Sequence, residues 1–501
     1  MTFELMAPLM FVALIVFLLL GYPVAFSLGA VGLLFGFLGV NLSEPGSSQT
    51  FISPTFLQNI PFRIFDTMQN QTLLAVPFFT FMGLILERSG MAEDLLDTMG
   101  QLFGRLRGGI AIAVIVVGAM LAATTGVVAA SVIAMGLISL PVMLRYGYSP
   151  RVAAGTIAAS GTLAQIIPPS LVLIILADQL GVSVGDMYRG AFVPGLILTG
   201  VYIGYILLIS LINPKAVPAL PPNILERRGR NQPLGPQILQ HLLLTAAVIG
   251  VDIWLTRWVN PTTVALLVLA NVPIFWIRRS VGEVLGRRVL VALVPPMVLI
   301  FLVLGTIFLG VATPTEGGAM GAVGALLLAL AKRKLSRTVL LQAMEATARL
   351  TSFVVFILVG SRIFSLVFVG VRGDEWVEGL LSNLPGGEVG FLAVVNLLIF
   401  FIAFFLDYFE IAFIIIPLIR PAAEALNINL IWFGVMIAVN LQTSFMHPPF
   451  GFSLFYLRSV APRSLKTSDI YWGAIPYVLI QFVMVFFIIF NPWVVLRWIS
   501  Q

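Results

Sequence analysis

Two polar stretches that each contain a proline pair carry the clearest chemical signal in the sequence. The first runs from Ser160 to Ser170 around Pro168-Pro169, and the second runs from Asn440 to Gly451 around Pro448-Pro449. Consecutive prolines remove two amide donors and clash with the preceding turn, so a helix must unwind there. Unwinding leaves backbone carbonyls beside hydroxyls and side-chain amides, and such oxygen atoms suit a small hard cation. The helix N-terminus beyond each break favours an anion, so a cation and a carboxylate could bind side by side.

Ionisable side chains inside apolar segments form a second group of candidates, because a charge within a membrane is costly and usually functional. Asp407 and Glu410 could ligate a cation, carry a proton or pair with a base. Arg362 could attract a carboxylate solute or pair with one of these acids as scaffold. His447 could serve proton coupling, although a hydrogen-bonded structural histidine is the more common arrangement. Glu316 lies at a predicted helix start after a proline, where capping is the favoured role.

The composition places these stretches in a membrane protein. Hydrophobic residues make up 59% of the 501 residues and charged residues only 10%, whereas soluble domains carry about 25% charged residues. With no cysteine and two histidines, the chain offers neither thiolate chemistry nor a histidine-rich site, so we expect no transition metal. The net charge of +6 fits basic cytoplasmic loops better than nucleic-acid binding. The first basic residue is Arg63, so we expect the N-terminal apolar stretch to be a span rather than a signal peptide.

The charged loops indicate how the apolar segments are threaded. Lysine and arginine clusters mark the loops on the cytoplasmic side of the membrane. An apolar segment whose two ends lie on the same side of the membrane, and whose middle is polar, predicts a re-entrant hairpin. Hairpins are predicted at about 110–143 and 388–424, and broken helices at about 152–177 and 430–457. We therefore expect an all-α polytopic membrane protein with two re-entrant hairpins, two broken helices and about 12 full spans.

The two halves of the chain align at an offset of 280 residues. Pro168-Pro169 falls on Pro448-Pro449, and Ser160 falls on Asn440. The same order of spans, hairpin and broken helix recurs with opposite predicted topology. Inverted repeats with helices broken near the midplane are typical of secondary transporters.

This alignment predicts three parts of the chain. Residues 1–213 form a first inverted repeat and residues 285–501 a second. Between them, 214–284 contains a cytoplasmic loop and an added two-helix insertion at 237–278, for which scaffold or subunit contact is the favoured role.

Several local motifs, taken together, are characteristic. They are Val76-Pro77-Phe78-Phe79 through Glu87-Arg88-Ser89-Gly90, Arg145-Tyr146-Gly147-Tyr148-Ser149-Pro150, Ile166-Ile167-Pro168-Pro169-Ser170, Thr313-Pro314-Thr315-Glu316, Phe433-Gly434-Val435 and Pro448-Pro449-Phe450-Gly451. With these motifs the chain resembles the large membrane subunit, the DctM-like M subunit, of tripartite ATP-independent periplasmic transporters. The sequences from Phe405 to Glu410 and from Phe450 to Arg458 are similar to the subgroup labelled mannitol/chloroaromatic type.

The resemblance implies a fold of the ion-transporter superfamily, in which a hairpin-bearing domain moves like an elevator against a scaffold. It implies a small four-helix membrane subunit and a periplasmic substrate-binding protein as partners in the bacterial inner membrane, and Na+ as the coupling ion. Family sodium sites, carried onto this chain, fall on Thr124, Thr125, Gly126, Ser160, Gly161 and Thr162, and on Asp407, Asn440, Gln442 and Thr443.

Two positions depart from the family pattern. Thr125-Gly126-Val127 and Ala130-Ser131 stand where the family usually has a Ser-Gly-Ser tip and an Ala-Asp pair. His447 stands where it usually has threonine.

The sequence predicts the large permease subunit of a sodium-coupled symporter for a small carboxylate-bearing solute, without a cofactor. A proton-coupled carrier and a channel subunit remain alternatives, and an enzyme is disfavoured because no nucleophile–base pair or metal set is available. The candidates for substrate binding or coupling are Pro168, Pro169, Pro448, Pro449, Arg362, Glu410 and His447.

Overall fold

A computed structural model describes residues 5–42, 52–125, 128–221, 283–382, 384–404 and 406–499. Within these ranges every regular element is a helix. The predicted insertion at 237–278 lies outside the described residues.

The first half contains eleven helices among the residues described there, joined by short connections. They are α1 (Met6–Leu19), α2 (Val24–Leu42), α3 (Pro54–Leu57), α4 (Ile60–Met68), α5 (Ala75–Arg88), α6 (Met91–Phe103), α7 (Gly109–Thr125), α8 (Val128–Arg145), α9 (Pro150–Thr162), α10 (Leu171–Leu180) and α11 (Val184–Ile212).

The second half contains ten helices in its described part. They are α12 (Glu283–Phe308), α13 (Pro314–Ala331), α14 (Arg337–Gly370), α15 (Gly373–Ser382), α16 (Gly387–Ile402), α17 (Tyr408–Ala425), α18 (Leu430–Met446), α19 (Phe452–Val460), α20 (Thr467–Phe490) and α21 (Trp493–Leu496).

Seven helices of the described part are long and apolar enough to cross a membrane: α2, α8, α11, the segment Val289–Phe308 of α12, α13, α14 and α20. The pair Pro54–Met68 and Gln71–Arg88, bent by 46°, adds an eighth if it is a single broken span. The figure of about 12 spans and the re-entrant nature of the hairpins therefore stay predictions.

Helix bounds recur between the halves at the spacing of the aligned prolines. Helices α8 and α17 both have 18 residues, and they begin at Val128 and Tyr408, which are 280 residues apart. Each also has an interior proline at the matching place, Pro141 and Pro421. The order of two helices, a broken helix and a long helix is therefore the same in both halves, whereas opposite orientation in a membrane stays a prediction.

The two halves interlock through their hairpins and broken helices. Helix α8 packs against α19, and α17 packs against α10, so the second leg of each hairpin meets the far half of the other repeat's broken helix. The first contact is close, since a Cβ placed on Gly136 would lie 2.7 Å from Val460 Cγ2. In the second contact, Arg420 Nη1 donates to the carbonyl of Gln179 at 3.4 Å. This arrangement buries Pro168 and Pro169, whereas Pro448 is half-buried and Pro449 is exposed.

Helix α20 supports both broken helices, because it packs against α9 and against α18. The contact with α9 depends on glycine: a Cβ on Gly155 would overlap the carbonyl oxygen of Gly473, and a Cβ on Gly473 would overlap that of Arg151. Small residues that let helix backbones approach closely are typical of packing between membrane helices.

The entry into the first hairpin is held by a buried tyrosine in the loop between α8 and α9. Tyr148 Oη accepts a hydrogen bond from the backbone N–H of Ile110 at 3.2 Å. Burial raises the pKa of Tyr148 to about 12, so its hydroxyl stays neutral at physiological pH.

Candidate functional site

The first broken helix loses its regular hydrogen bonds just before its proline pair. Helix α9 ends at Thr162, a single 3-10 turn covers Leu163–Gln165, and α10 begins at Leu171. The bond between Pro168 and Pro169 is cis. Ser170 Oγ donates to the carbonyl of Gln165 at 2.7 Å. This bond gives a partner to a carbonyl to which the prolines, without an N–H group, cannot donate. All residues from 163 to 170 are buried.

The second broken helix is closed in the same way. Helix α18 ends at Met446, α19 begins at Phe452, and the Pro448-Pro449 bond is cis. Ser453 Oγ donates to the carbonyl of Phe445, which lies 280 residues after Gln165. The surroundings differ, however, because Pro449 is exposed whereas its counterpart Pro169 is buried.

The cation candidates of the first repeat point in three directions from one turn of α9. Ser160 faces α7, where a Cβ on Gly118 would lie 2.6 Å from Ser160 Cβ. Gly161 packs against Val132 of α8, and Thr162 Oγ1 lies 3.8 Å from Met446 Sδ in the other repeat.

Both hydroxyls of this turn are used locally. Ser160 Oγ donates to the carbonyl of Ile157, and Thr162 Oγ1 donates to that of Ala159, each at 2.9 Å. Thr162 Oγ1 also accepts from Gln481 Nε2 at 3.3 Å, and each hydroxyl oxygen still has a lone pair able to accept or to ligate.

The hairpin-tip candidates of the first repeat are only partly described. Thr124 and Thr125 are the last residues of α7, but their side chains lie outside what the structure describes, and so does Gly126. Their role as ligands stays a prediction.

The cation candidates of the second repeat form a buried hydrogen-bonded group. Asn440 Nδ2 donates to the carbonyl and the side-chain oxygen of Asn396, at 2.8 and 3.0 Å. Thr443 Oγ1 donates to the carbonyl of Asn440 at 2.6 Å. Asn396, on α16, was not among the predicted residues, although it is the one polar side chain of that helix after Glu388, and that contrast was visible in the sequence.

Asp407 and Glu410 form a reciprocal capping box at the start of α17. The Asp407 carboxylate accepts from the backbone N–H of Glu410 at 2.9 Å, and the Glu410 carboxylate accepts from that of Asp407 at 2.8 Å. Thr313 and Glu316 form the same box at the start of α13, as expected for Glu316. The two acids at the second hairpin therefore have a structural role that was not among the alternatives considered for them.

Arg362 lies on α14 and is half-buried. Within the described part of the chain it forms no ion pair, so the pairing with Asp407 or Glu410 considered as one alternative is not observed. Attraction of a carboxylate solute by Arg362 stays a prediction.

His447, immediately before the second proline pair, is surrounded by aromatic rings. Phe404 stacks on the imidazole with ring centroids 3.7 Å apart, and Phe400 meets it edge-on at 5.4 Å. Neither ring nitrogen has a hydrogen-bond partner of good geometry among the described residues. The common structural arrangement, a hydrogen-bonded histidine, is therefore not seen here.

Two buried glutamines also lack partners at the breaks. Gln165 and Gln442 are both 0% exposed, and neither the oxygen nor the nitrogen of either amide is hydrogen-bonded within the described residues. Gln442 was predicted as a cation candidate, whereas Gln165 was missed. The sequence shows its polarity but not its lack of a partner, so only the structure could single it out.

The chemistry available at the breaks is neutral and polar. No Lys, Arg, Asp or Glu occurs in 152–177 or in 430–457. Amide and hydroxyl oxygens there could ligate a small cation, and amide N–H groups could hold an anion or a hydroxyl group.

Comparison with known proteins gives a consistent result over nearly the whole chain. The family model described as "Tripartite ATP-independent periplasmic transporter, DctM component" matches residues 11–494. The C4-dicarboxylate TRAP transporter large permease protein DctM of Vibrio cholerae is 28% identical over 508 residues, which cover 97% of this chain and 96% of the relative.

A longer relative and a solved structure extend this comparison. The isethionate TRAP transporter permease protein DctMQ of Oleidesulfovibrio alaskensis is 23% identical over 92% of this chain and 61% of its own length. The crystal structure of the Alcanivorax borkumensis YdaH transporter aligns with a TM-score of 0.53 at 15% identity, covering 97% of this chain and 98% of that one. The fold is therefore that of a known membrane transporter.

Proposed function

Because the chain belongs to the family of DctM components of tripartite ATP-independent periplasmic transporters, we propose that it is the large permease subunit of a sodium-coupled symporter. Family membership makes the chain a transport protein rather than an enzyme. The proposed cargo is a small organic solute bearing a carboxylate, imported across the bacterial inner membrane.

The observation that carries the proposal is the shared construction of the two breaks. Each interrupts a helix at a proline pair, and each has a buried amide without a partner close by, Gln165 and Gln442. Buried polar groups are normally hydrogen-bonded, so groups left without partners at two such breaks are expected to meet a ligand. The hydroxyl and amide oxygens nearby suit Na+, and the helix N-termini beyond the prolines suit a carboxylate.

The proposed partners are a small four-helix membrane subunit and a periplasmic binding protein that delivers the solute. The small membrane subunit is supported by the relative DctMQ, whose name combines two subunit letters. This chain covers only 61% of the length of DctMQ, so that relative has a further part that does not match this chain. A carboxylate cargo is supported by the relative named for C4-dicarboxylates.

Uptake into proteoliposomes tests the proposal. The chain is reconstituted with the small subunit and binding protein encoded beside it, and radiolabelled acids are offered with and without an inward sodium gradient. Uptake that requires both the gradient and the binding protein is the expected result. Uptake driven by a proton gradient alone would replace Na+ by H+, and flux that needs neither gradient nor binding protein would favour a pore.

A further inference from the structure

The two glutamines at the breaks carry an inference about the solute itself. We propose that Gln165 and Gln442 together bind a hydroxyl group of the transported solute, so that the cargo is a hydroxycarboxylate. This inference rests on the proposed function, and it adds a recognition site and a narrower substrate class.

The amides of Gln165 and Gln442 are unusual for buried polar groups. Both side chains are 0% exposed, and all four of their polar atoms lack a hydrogen bond within the described part of the chain. A buried polar atom without a partner is unfavourable, because it has lost its hydrogen bonds to water. Gln179, by contrast, is 7% exposed and donates to Asp178 at 2.7 Å, so a buried glutamine in this fold can have a partner.

Both glutamines lie close in sequence to a contact between the two broken helices. Thr162 Oγ1 and Met446 Sδ are 3.8 Å apart, which joins the end of α9 to the end of α18. Gln165 follows Thr162 by three residues, and Gln442 precedes Met446 by four, so by helical spacing each lies on the face that makes this contact. The 3-10 turn that contains Gln165 also packs directly against α18. The two amides therefore belong to the same interface between the repeats.

The donors and acceptors of an amide restrict the ligand group that could serve it alone. An amide offers two N–H donors and one carbonyl acceptor. A sodium ion would use only the oxygen, and a carboxylate would use only the N–H groups, so neither by itself serves both kinds of atom. A hydroxyl group can accept from the N–H groups of both glutamines and donate to one of their carbonyl oxygens, so this single group contacts both kinds of atom.

The charge distribution supports a neutral group at this position. No Lys or Arg occurs in 152–177 or 430–457 to balance a second carboxylate. Sites that hydrogen-bond a substrate hydroxyl reject the analogue that lacks it, because the polar groups of the site then stay unpaired. We therefore expect discrimination between acids that differ only in a hydroxyl group.

Ligand-induced thermal stabilisation measures this discrimination on the permease directly. The full chain is purified with its small subunit, without the binding protein, and melted in NaCl with two matched pairs of probes, lactate against propionate and gluconate against hexanoate. At least one hydroxy acid should raise the melting temperature, and its partner without hydroxyl should not. Equal stabilisation by both members of each pair, or stabilisation by neither hydroxy acid, would overturn the proposal.

Variants separate a binding role from a structural one. Gln165→Leu and Gln442→Leu should weaken hydroxy-acid binding about tenfold or more, while the melting temperature without ligand is unchanged or higher. Gln165→Met replaces glutamine by a side chain of nearly the same shape, so it tests the loss of the amide if Gln165→Leu does not fold. The matched control Gln179→Leu should lower the melting temperature and leave hydroxy-acid binding as it was.

Two results with the variants would contradict the proposal. A lower melting temperature in both Leu variants would make the amides structural, and a change in sodium dependence with unaltered hydroxy-acid binding would make them cation ligands. Failure of the proposed function is distinguishable from failure of this inference. If the proposed function is wrong, the unmodified complex gives no sodium-driven uptake, whereas the preference for hydroxy acids is measured by melting, without a gradient.

Discussion

Replacing the carboxylates of the second hairpin by their amides should leave sodium-driven transport intact. Asp407 and Glu410 were candidates for cation binding and coupling, but in the structure each carboxylate accepts the other residue's backbone N–H, at 2.9 and 2.8 Å. An amide oxygen accepts the same hydrogen bond, so Asp407→Asn and Glu410→Gln keep both contacts. The expected result is near-normal uptake and a melting temperature close to that of the unmodified protein.

The alanine variants give the magnitude of the capping role. Loss of an N-cap side chain costs about 0.5–2 kcal/mol, typically about 1 kcal/mol. Asp407→Ala and Glu410→Ala each remove one of the two bonds, so each should destabilise by about 1 kcal/mol. The double variant should cost less than twice that, because the two residues share one motif.

The assay combines uptake into proteoliposomes with thermal melting of the same preparations. The capping box of Thr313 and Glu316 at α13 is the control, since its glutamate also accepts from the backbone N–H of the N-cap residue. Glu316→Gln should behave like Glu410→Gln in both measurements. If Glu410→Gln abolished uptake at an unchanged melting temperature while Glu316→Gln did not, the acid would have a coupling role and the capping explanation would be refuted.

Two further predictions concern packing and ion binding. Gly155→Ala should destabilise by about 1–3 kcal/mol, because its Cβ would overlap backbone of α20 that cannot move aside; Gly200→Ala, in a helix with open space around it, should be neutral or stabilise by about 0.5–1 kcal/mol. Similar melting temperatures for the two variants would rule out the close approach of α9 and α20. Ser160→Ala and Asn440→Ala should each raise the sodium concentration for half-maximal uptake more than they lower the amount of assembled protein, and unchanged sodium activation in both would remove them as ligands.

Features set by covalent geometry were readable from the sequence. A proline pair cannot donate to a helix, and the helices end at Thr162 and Met446, a few residues before each pair. The all-helical fold followed from apolar segments whose backbone can pair only internally. The pattern Asp407-Tyr408-Phe409-Glu410 also fits a capping box, a role that was not considered for these acids beside cation binding, proton transfer and pairing with a base.

Features that depend on partners from distant helices were not readable. Asn396 is visible as a lone amide in α16, but its contact with Asn440 requires the hairpin to pack on the broken helix. Gln165 is polar in the sequence, yet whether it has a partner depends on every residue around it. Such information lies in tertiary packing rather than in local pattern.

The hydrogen bonds at each break explain why the amides, rather than the serines, are the distinctive groups. The prolines leave helix carbonyls without donors, and in each repeat one serine hydroxyl donates to such a carbonyl, that of Gln165 or that of Phe445. These bonds engage the serine donors and one carbonyl at each break. The carbonyls that the prolines leave without donors are therefore not paired by the glutamine side chains. The amides of Gln165 and Gln442 could therefore be replaced by apolar groups without loss of a hydrogen bond. Because a buried amide without a partner is unfavourable, its presence at both breaks is best explained by a ligand that binds there during transport.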